Sequence, residues 1–458
     1  MLSLFGVLNM GGQSLSVQQE ATAIAGQNLA NVNNPAYADE QLEVQEATPL
    51  DTPVGEEGTG VDAVSITSMR DALLDAQIAA EGSVTGSLTA QQSALQEAEA
   101  YLNEQLSSSS SSSSSAASSS NGLTADLSNF FSSLQTLSTD PSNISDRQAV
   151  IQSAQQLTEQ FNQVSSGLNT VNNDLNSSIQ SGVAAANQDL SQIASLNQQI
   201  MEAQDSGGTA DQLVDEREQT IENLSGYVNL TTSAQPDGAI NVSIGGCSMV
   251  SGDTMVNSLK TIGSGTQLYA ATVNDGELTL SGGSIEGSIT ARDGAVATLQ
   301  TSLNTLASEL INQVKAVYPG SFFTGSDAGS IGVNSTLVND PSTLQTGATG
   351  DPGDNGVVLA MANLADTPLS DLNNQTMSQY YSQTVGAFGS ALQSVNEQLA
   401  NSTSVAQMLT TQRDSASGVD TDTEMTNLLQ FQKAYEASAE LVTTVNEMLA
   451  TLVAMKTE

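Results

Sequence analysis

Apolar residues recur along much of this chain at alternating spacings of three and four. The longest stripe comprises Val150, Ala154, Leu157, Phe161, Val164, Leu168, Val171, Leu175, Ile179, Val183, Ala186, Leu190, Ile193, Leu196 and Ile200. This period is typical of a coiled-coil seam and predicts a helix over residues 146–204. Gly182 lies inside that helix. Because an internal glycine disfavours a helix by about 1 kcal/mol, the sequence allows a kink near this residue.

Other segments show the same period over shorter distances. They predict helices over residues 1–30, 66–106, 296–317, 381–409 and 428–452. The first is interrupted at Gly11-Gly12, and the last follows Thr421 and Glu424, which have the spacing of a capping box. The last helix also carries a second apolar row, Ala434, Leu441, Met448 and Met455. Its apolar surface is therefore too wide for a simple two-stranded seam.

Between residues 226 and 286 the pattern changes to short runs of alternating apolar and polar residues. Residues 239–244 are one such run, and Asn274-Asp275-Gly276 is a candidate hairpin turn. This pattern predicts a small antiparallel β domain. By contrast, residues 107–120 are almost entirely serine, which predicts a flexible linker because such a tract buries no apolar area.

These elements predict a mainly α fold with an inserted β domain. The N- and C-terminal parts are expected to form a long coiled-coil-like helical bundle. The predicted division is a terminal helical domain of residues 1–45 with 420–458, a bundle of 60–225 with 287–415, and a β domain of 226–286.

The composition excludes several classes of function. The chain of 458 residues has 9 Lys+Arg, 50 Asp+Glu, no His and one Cys, with a net charge of −41. Without His, Ser-His-Asp and Cys-His catalysis are excluded, as are His-liganded zinc sites within one chain. The negative charge repels phosphate backbones, so nucleic acid is not an expected partner. We therefore expect neither enzymatic activity nor a cofactor.

Two acidic clusters have structural interpretations that outweigh the catalytic or metal-binding ones. Asp420, Asp422 and Glu424 alternate as in a calcium loop, but the glycine of such a loop is missing, and helix capping explains them. Asp211, Asp215 and Glu216 beside Arg217 are expected on a solvated helix face. Cys247 is expected to be a small packed residue.

The two terminal helices each need a partner for an apolar face, and pairing them with each other is the simplest solution. An isolated helix pair is marginal, and exposed apolar surface of this kind marks an assembly site. The predicted interface residues are Leu4, Leu8, Leu15, Ile24, Asn31, Asn33, Tyr37, Leu428, Phe431, Tyr435, Leu441, Val442, Val445, Met448, Leu449 and Leu452. The periodicity thus favours a subunit that is completed by neighbouring copies.

Motifs at both ends resemble the bacterial flagellar axial proteins. Residues 28–37, Asn-Leu-Ala-Asn-Val-Asn-Asn-Pro-Ala-Tyr, are similar to the N-terminal signature of that family, and residues 417–437 resemble its shared C-terminal ending. Segments 130–147, 193–200, 213–217 and 282–293 resemble the hook-associated protein 1 subgroup. Pro35-Ala36 departs from the usual residues before Tyr37.

The resemblance implies a structural subunit that forms the junction between hook and filament. It implies terminal helices that order on assembly, and as partners a ring of copies, the hook protein, a second junction protein and an export chaperone on the C-terminal helix. It also implies type III export, consistent with a start that lacks the basic region of a cleaved signal peptide. No apolar stretch of 18 residues exists, so no membrane insertion is expected.

Three alternatives stay open at this point, and the enzymatic one is a hydrolase that uses carboxylates alone. A rod or hook subunit shares the terminal motifs but lacks the signatures between 190 and 217. A secreted protein with a glycan or another ligand on its β domain belongs to a different class, although 3% aromatic residues leave little for sugar stacking.

Overall fold

A computed structural model describes residues 4–52, 55–102, 122–265, 267–272, 276–349, 351 and 353–456. Its α-helices are α1 (Leu4–Asn31), α2 (Ala72–Leu102), α3 (Leu123–Thr139), α4 (Ile144–Asp205), α5 (Asp211–Tyr227), α6 (Gly283–Ala291), α7 (Ala297–Val317), α8 (Ser335–Asn339), α9 (Gly356–Asn363), α10 (Met377–Ser417) and α11 (Thr421–Lys456). A π-helical turn, Arg292–Val296, joins α6 to α7. The mainly α fold with antiparallel sheets is confirmed.

The strands are short and all of their pairings are antiparallel. They are β1 (Glu40–Glu46), β2 (Leu50–Thr52), β3 (Gly55–Glu57), β4 (Val61–Ser68), β5 (Leu230–Ala234), β6 (Ile240–Ile244), β7 (Cys247–Ser251), β8 (Thr254–Met255), β9 (Leu259–Ser264), β10 (Gln267–Thr272), β11 (Phe323–Thr324) and β12 (Gly332–Val333). Strands β5 to β8 form one four-stranded sheet in sequence order. The other strands form pairs: β1 with β4, β2 with β3, β9 with β10, and β11 with β12.

The chain divides into two compact units. Unit 1 comprises Met1–Gly82, Ala186–Ser258 and Thr403–Glu458, and unit 2 comprises Ser83–Ala185 and Leu259–Ser402. The strands of the predicted β segment, 226–286, accordingly fall into two sheets, β5–β8 in unit 1 and β9–β10 in unit 2.

Helix α4 confirms the longest predicted stripe. All fifteen apolar positions of that stripe are buried, and α4 continues through Gly182. Gly167 has a packing reason, because a Cβ built there would lie 2.3 Å from Cγ of Tyr101. A ring packed against the helix backbone thus compensates for the low helix propensity of glycine.

The core of unit 2 is built around α3, α4 and α7 and includes an aromatic cluster. Phe130 packs against Phe131, Phe322 and Phe323 at centroid distances of 5.3, 5.9 and 5.6 Å. Tyr318 meets Phe322 edge-on at 5.5 Å. In a chain poor in aromatics, these five side chains supply much of the large apolar volume of this core.

The predicted helix over 66–106 is wrong at its start. Residues up to Ser68 belong to β4, which pairs with β1, and α2 begins only at Ala72. Val61, Val64 and Ile66 are β-branched and favour a strand once a partner strand is present.

Two other predictions, the serine-rich linker 107–120 and the turn residues Asn274 and Asp275, lie outside the described residues.

The N-cap of α11 also differs from the prediction. Asp420, not a Thr421–Glu424 capping box, accepts hydrogen bonds from the backbone N–H of Asp422 (3.0 Å) and the hydroxyl of Thr423 (3.2 Å). Glu424 instead turns inward, with 6% of its surface exposed.

Among the described residues, no three Asp, Glu or Cys side chains converge as metal ligands do.

All five arginines connect segments within a unit. In unit 2, Arg292 is buried and donates to Oδ1 of Asn176 (2.8 Å) and the carbonyl of Leu268 (2.7 Å). Arg147 donates to the carbonyls of Pro141, Ser342 and Leu344. In unit 1 the bridging arginines are Arg70, Arg217 and Arg413. The expected solvated helix face is wrong for Asp215 and Arg217, which are buried because each bonds a distant segment, whereas Glu216 is exposed. None of the described helices is both long and apolar enough to cross a membrane.

Candidate assembly interface of the terminal helices

Helices α1 and α11 pair closely within unit 1, so the predicted pairing of the terminal helices is present. A Cβ built on Gly11 would lie only 2.7 Å from Cγ2 of Val442, which leaves no room for a side chain. Near this approach the hydroxyls of Ser14 and Ser438 lie 2.9 Å apart and share a hydrogen bond. The predicted interruption at Gly11-Gly12 is wrong: α1 is continuous there, because close packing outweighs the glycine penalty.

Asn28 is the centre of a buried network that connects four segments. Its Nδ2 donates to Oδ1 of Asp39 (2.6 Å), the carbonyl of Glu40 (2.9 Å) and Oε2 of Glu424 (3.3 Å). Its Oδ1 accepts from the hydroxyl of Tyr37 (2.7 Å) and the backbone N–H of Glu40 (3.2 Å). With 1% of its surface exposed, Asn28 makes five hydrogen bonds that fix α1, the following loop, β1 and α11 against one another.

Arg70 attaches the loop between α1 and β1 to the rest of unit 1. Its guanidinium donates to the carbonyl of Ala36, to Oδ1 of Asp215 on α5 (2.7 Å) and to Oδ2 of Asp75 on α2 (2.9 Å). The backbone N–H of Asp39 adds a bond to the carbonyl of Ser417, at 2.8 Å. Charge-assisted bonds to partly buried carboxylates are among the stronger hydrogen bonds in proteins, so this loop is firmly held.

The predicted interface residues all lie on or beside the α1–α11 pair, but their burial differs. Ile24, Tyr37 and Val445 are buried; Leu4, Leu8, Leu15, Asn31, Leu428, Phe431, Val442 and Leu449 are half-buried; Asn33, Tyr435, Leu441, Met448 and Leu452 are exposed. The buried members stabilise the single chain. A role of the others between copies stays a prediction.

The sequence prediction missed Asn28, Glu40, Arg70 and Glu424 as site residues. A signal existed for Asn28, since it continues the four-three-four spacing of the buried Val17, Ala21 and Ile24. A polar residue at a core position needs partners, so that spacing alone predicts a buried network. For the other three, sequence offered no comparable signal, because their partners are distant along the chain.

Helix α11 carries a concentration of exposed apolar side chains. Of the 19 large hydrophobic residues exposed in the described chain, eight lie on this helix: Met425, Leu429, Tyr435, Leu441, Met448, Leu452, Val453 and Met455. Leu441, Met448 and Met455 recur every seven residues, and Leu452 follows Met448 by four. We call these four residues the outer row. Such a contiguous apolar strip on a surface helix is typical of a protein–protein contact.

Glu40 is buried beside other carboxyl groups and has a strongly shifted pKa. Burial is the main cause, followed by Asp211, Asp215 and Asp39, and together they raise its pKa to about 7, against the effect of a hydrogen bond with Tyr37. Burial, followed by Glu40, likewise raises the pKa of Tyr37. The folded chain therefore disfavours ionised Glu40.

This shift predicts a stability that depends on pH. Because the pKa of Glu40 is about 7 in the folded chain and near 4.5 unfolded, its ionisation destabilises unit 1 fully above about pH 7 and not at all below about pH 4.5. Raising the pH from 5 to 8 should cost on the order of 3 kcal/mol from this group. Glu40→Gln should flatten that dependence in urea unfolding, whereas Glu46→Gln, exposed on the same strand, should not. Parallel pH curves for Glu40→Gln and the parent would refute this account.

Two sequence families match the chain. Residues 109–330 match the flagellar hook-associated protein FlgK helical domain, and residues 410–455 match the flagellar basal body rod FlgEFG protein C-terminal region. The flagellar hook-associated protein 1 of Bacillus subtilis (strain 168) is 27% identical, over 98% of each chain. Its namesake in Salmonella typhimurium (strain LT2) is 35% identical over 30% of this chain and 25% of the relative. The Escherichia coli (strain K12) namesake is 28% identical over 56% and 49%.

A solved structure shows the same fold. The flagellar hook junction protein FlgK from Burkholderia pseudomallei aligns with a TM-score of 0.62 at 15% sequence identity. The alignment covers 75% of this chain and 100% of that structure.

Proposed function

This chain belongs to the flagellar hook-associated protein 1 family, and on that premise we propose that its copies join into a ring through their terminal helices. It is a structural subunit of the bacterial flagellum, at the junction between hook and filament. The proposed role is mechanical and requires neither catalysis nor a cofactor.

The outer row of α11 is the observation that carries the proposal. The single chain packs α11 against α1, where Val445 is buried, and leaves the outer row only partly covered. Leu441 is 40% exposed, although its Cδ2 would lie 3.4 Å from a Cβ built on Gly11 of α1, and Met455 is 66% exposed. Removing such side chains from water contributes about 25 cal/mol per Å² of apolar area. In the proposed ring, neighbouring copies supply the apolar partner surface that covers the outer row.

In the proposed ring, the paired segments 1–45 and 420–458 form the inner layer and the remainder of the chain lies outside it. One ring adapts two polymers whose own subunits do not fit each other. The hook protein is the proposed partner on one side and a second junction protein the partner on the other. The match of residues 410–455 to a C-terminal region named for rod proteins supports a terminal module of the axial type.

Before assembly, the outer row needs protection in the cytoplasm. We propose that an export chaperone covers α11 there and that the chain leaves through the flagellar type III apparatus. Eight exposed large apolar side chains on one helix of 36 residues support this, because such a surface promotes aggregation.

Immunogold labelling of isolated flagella tests the proposed location. Gold should gather at one point on each flagellum, where the hook meets the filament. Labelling distributed along the hook or in the rod would contradict the proposal and favour a rod or hook subunit.

Hydrogen exchange tests the proposed use of α11. Val445 is the last buried residue described in this helix, so residues 446–456 should exchange rapidly in the purified chain. The same amides should be strongly protected in isolated flagella, whereas α4, whose stripe is already buried, should change little. Equal exchange of residues 446–456 in the two states would overturn the proposed contact.

A further inference from the structure

Unit 1 contains an open groove beside the α1–α11 pair. It has a volume of about 360 Å³, and its walls come from α1, β1, the start of β4 and α11. Val17, Ala21 and Ile24 form the α1 wall, Leu42 the β1 wall and Phe431 the α11 wall. The surface of this groove is therefore mainly aliphatic and aromatic.

The acidic groups at the groove are already engaged within the chain. Glu424 accepts from Asn28 through Oε2 and from Asn427 through Oε1 (3.0 Å). Glu40 is buried, and its backbone carbonyl and N–H are both hydrogen-bonded to Asn28. A cationic occupant is thus not required, and an apolar one matches the remaining surface. Oε1 of Gln18, in contrast, is buried at the groove wall without a hydrogen-bond partner, which indicates a surface that is not complete in the single chain.

The dimensions of the groove match the spacing of the outer row. From Val17 to Ala25 the α1 wall extends about 12 Å, and residues seven apart on a helix, such as Leu441 and Met448, are separated by about 10.5 Å. An apolar cavity of about 150 Å³ accommodates a benzene ring. The groove, at about 360 Å³, therefore has room for two side chains that are each about as large as benzene.

We propose that the groove of one copy receives the outer row of α11 from the next copy. The contact is heterologous, because a groove meets a row and neither surface meets itself. Repeating such a contact generates a ring or a helix of copies. This inference rests on the proposed function and names the two surfaces that carry it.

Crosslinking between two differently tagged chains tests the contact. Both chains carry Cys247→Ser, which removes the natural cysteine; one also carries Gln18→Cys in the groove and the other Leu441→Cys in the outer row. They are expressed together in cells that lack the parent chain, and isolated flagella are oxidised. Because each chain has one cysteine, a disulfide between the two tags reports contact between copies.

Leu429→Cys in place of Leu441→Cys is the matched control. Leu429 is 58% exposed on the same helix but lies outside the outer row. The pair Gln18→Cys with Leu441→Cys should give at least tenfold more mixed disulfide than Gln18→Cys with Leu429→Cys. Equal yields, or no mixed disulfide in flagella that contain both tags, would overturn the inference.

A separate readout distinguishes this inference from the proposed function. Immunoblots for the two tags report whether the chains are incorporated at all. Both tags in flagella without the predicted disulfide would refute the groove contact and leave the junction role intact. Absence of the parent chain from isolated flagella would refute the junction role, and the groove contact with it.

Discussion

Leu441→Asp is expected to abolish incorporation of the protein into flagella and to leave the single chain folded. Leu441 lies at the edge of the contact with Gly11 of α1 and is 40% exposed, so the new carboxylate reaches water in the isolated chain. In a contact between copies the same charge is buried without a partner, which costs several kcal/mol. A loss of about 3 kcal/mol per contact lowers the association constant more than 100-fold. Swimming assays and immunoblots of isolated flagella measure the effect.

The control for this substitution is Leu429→Asp, which places the same charge at a more exposed position of the same helix. This variant should be incorporated almost normally. Circular dichroism of both purified variants should match that of the parent. Normal swimming of cells with Leu441→Asp would contradict the assembly role of the outer row.

Asn28→Leu should destabilise the packing of α1, β1 and α11 in unit 1 by about 3–5 kcal/mol, since it removes five hydrogen bonds at one buried position. The hydroxyl of Tyr37 and the backbone N–H of Glu40 lose an acceptor that water cannot replace. Peptide-resolved hydrogen exchange should show opening of β1 and the start of α11 that is at least 100-fold more frequent.

Asn31→Leu is the corresponding control in the same helix. Asn31 is half-buried, and its Nδ2 donates to the carbonyl of Gln27 one turn earlier (3.0 Å). This substitution should change exchange in β1 by less than about threefold, because surface changes typically cost under 0.5 kcal/mol. If both variants behaved alike, the network around Asn28 would have no special role in stability.

The long helices could be predicted from the sequence because their signal is local. Every position of the stripe from Val150 to Ile200 points to the same side of one helix, and the structure buries them all. The second apolar row of α11 was visible for the same reason, and the structure leaves Leu441, Met448 and Met455 exposed. Periodicity identifies apolar surface, whether a chain buries it internally or not.

The buried network around Asn28 and Arg70 depends on contacts between distant segments, which a local sequence pattern does not encode. Glu424 and Asn28 are separated by 396 residues, and Arg70 and Asp215 by 145. The end of strand β4, residues 66–68, was predicted as helix because its conformation depends on pairing with β1. Gly11 was predicted as a break because its neighbour Val442 lies on the last helix. Where distant segments meet, tertiary packing overrides local propensity.

Every arginine is hydrogen-bonded within the chain, and this has a practical consequence for detecting local unfolding of the protein. Trypsin cuts after lysine and arginine, and only nine such positions exist in 458 residues. Each of the five arginines is tied by hydrogen bonds to a distant segment, while Lys433 stands 75% exposed on α11. We therefore expect trypsin to cut the native chain at lysines before arginines, and a fragment that ends in arginine to indicate that the hydrogen bonds of that arginine have opened.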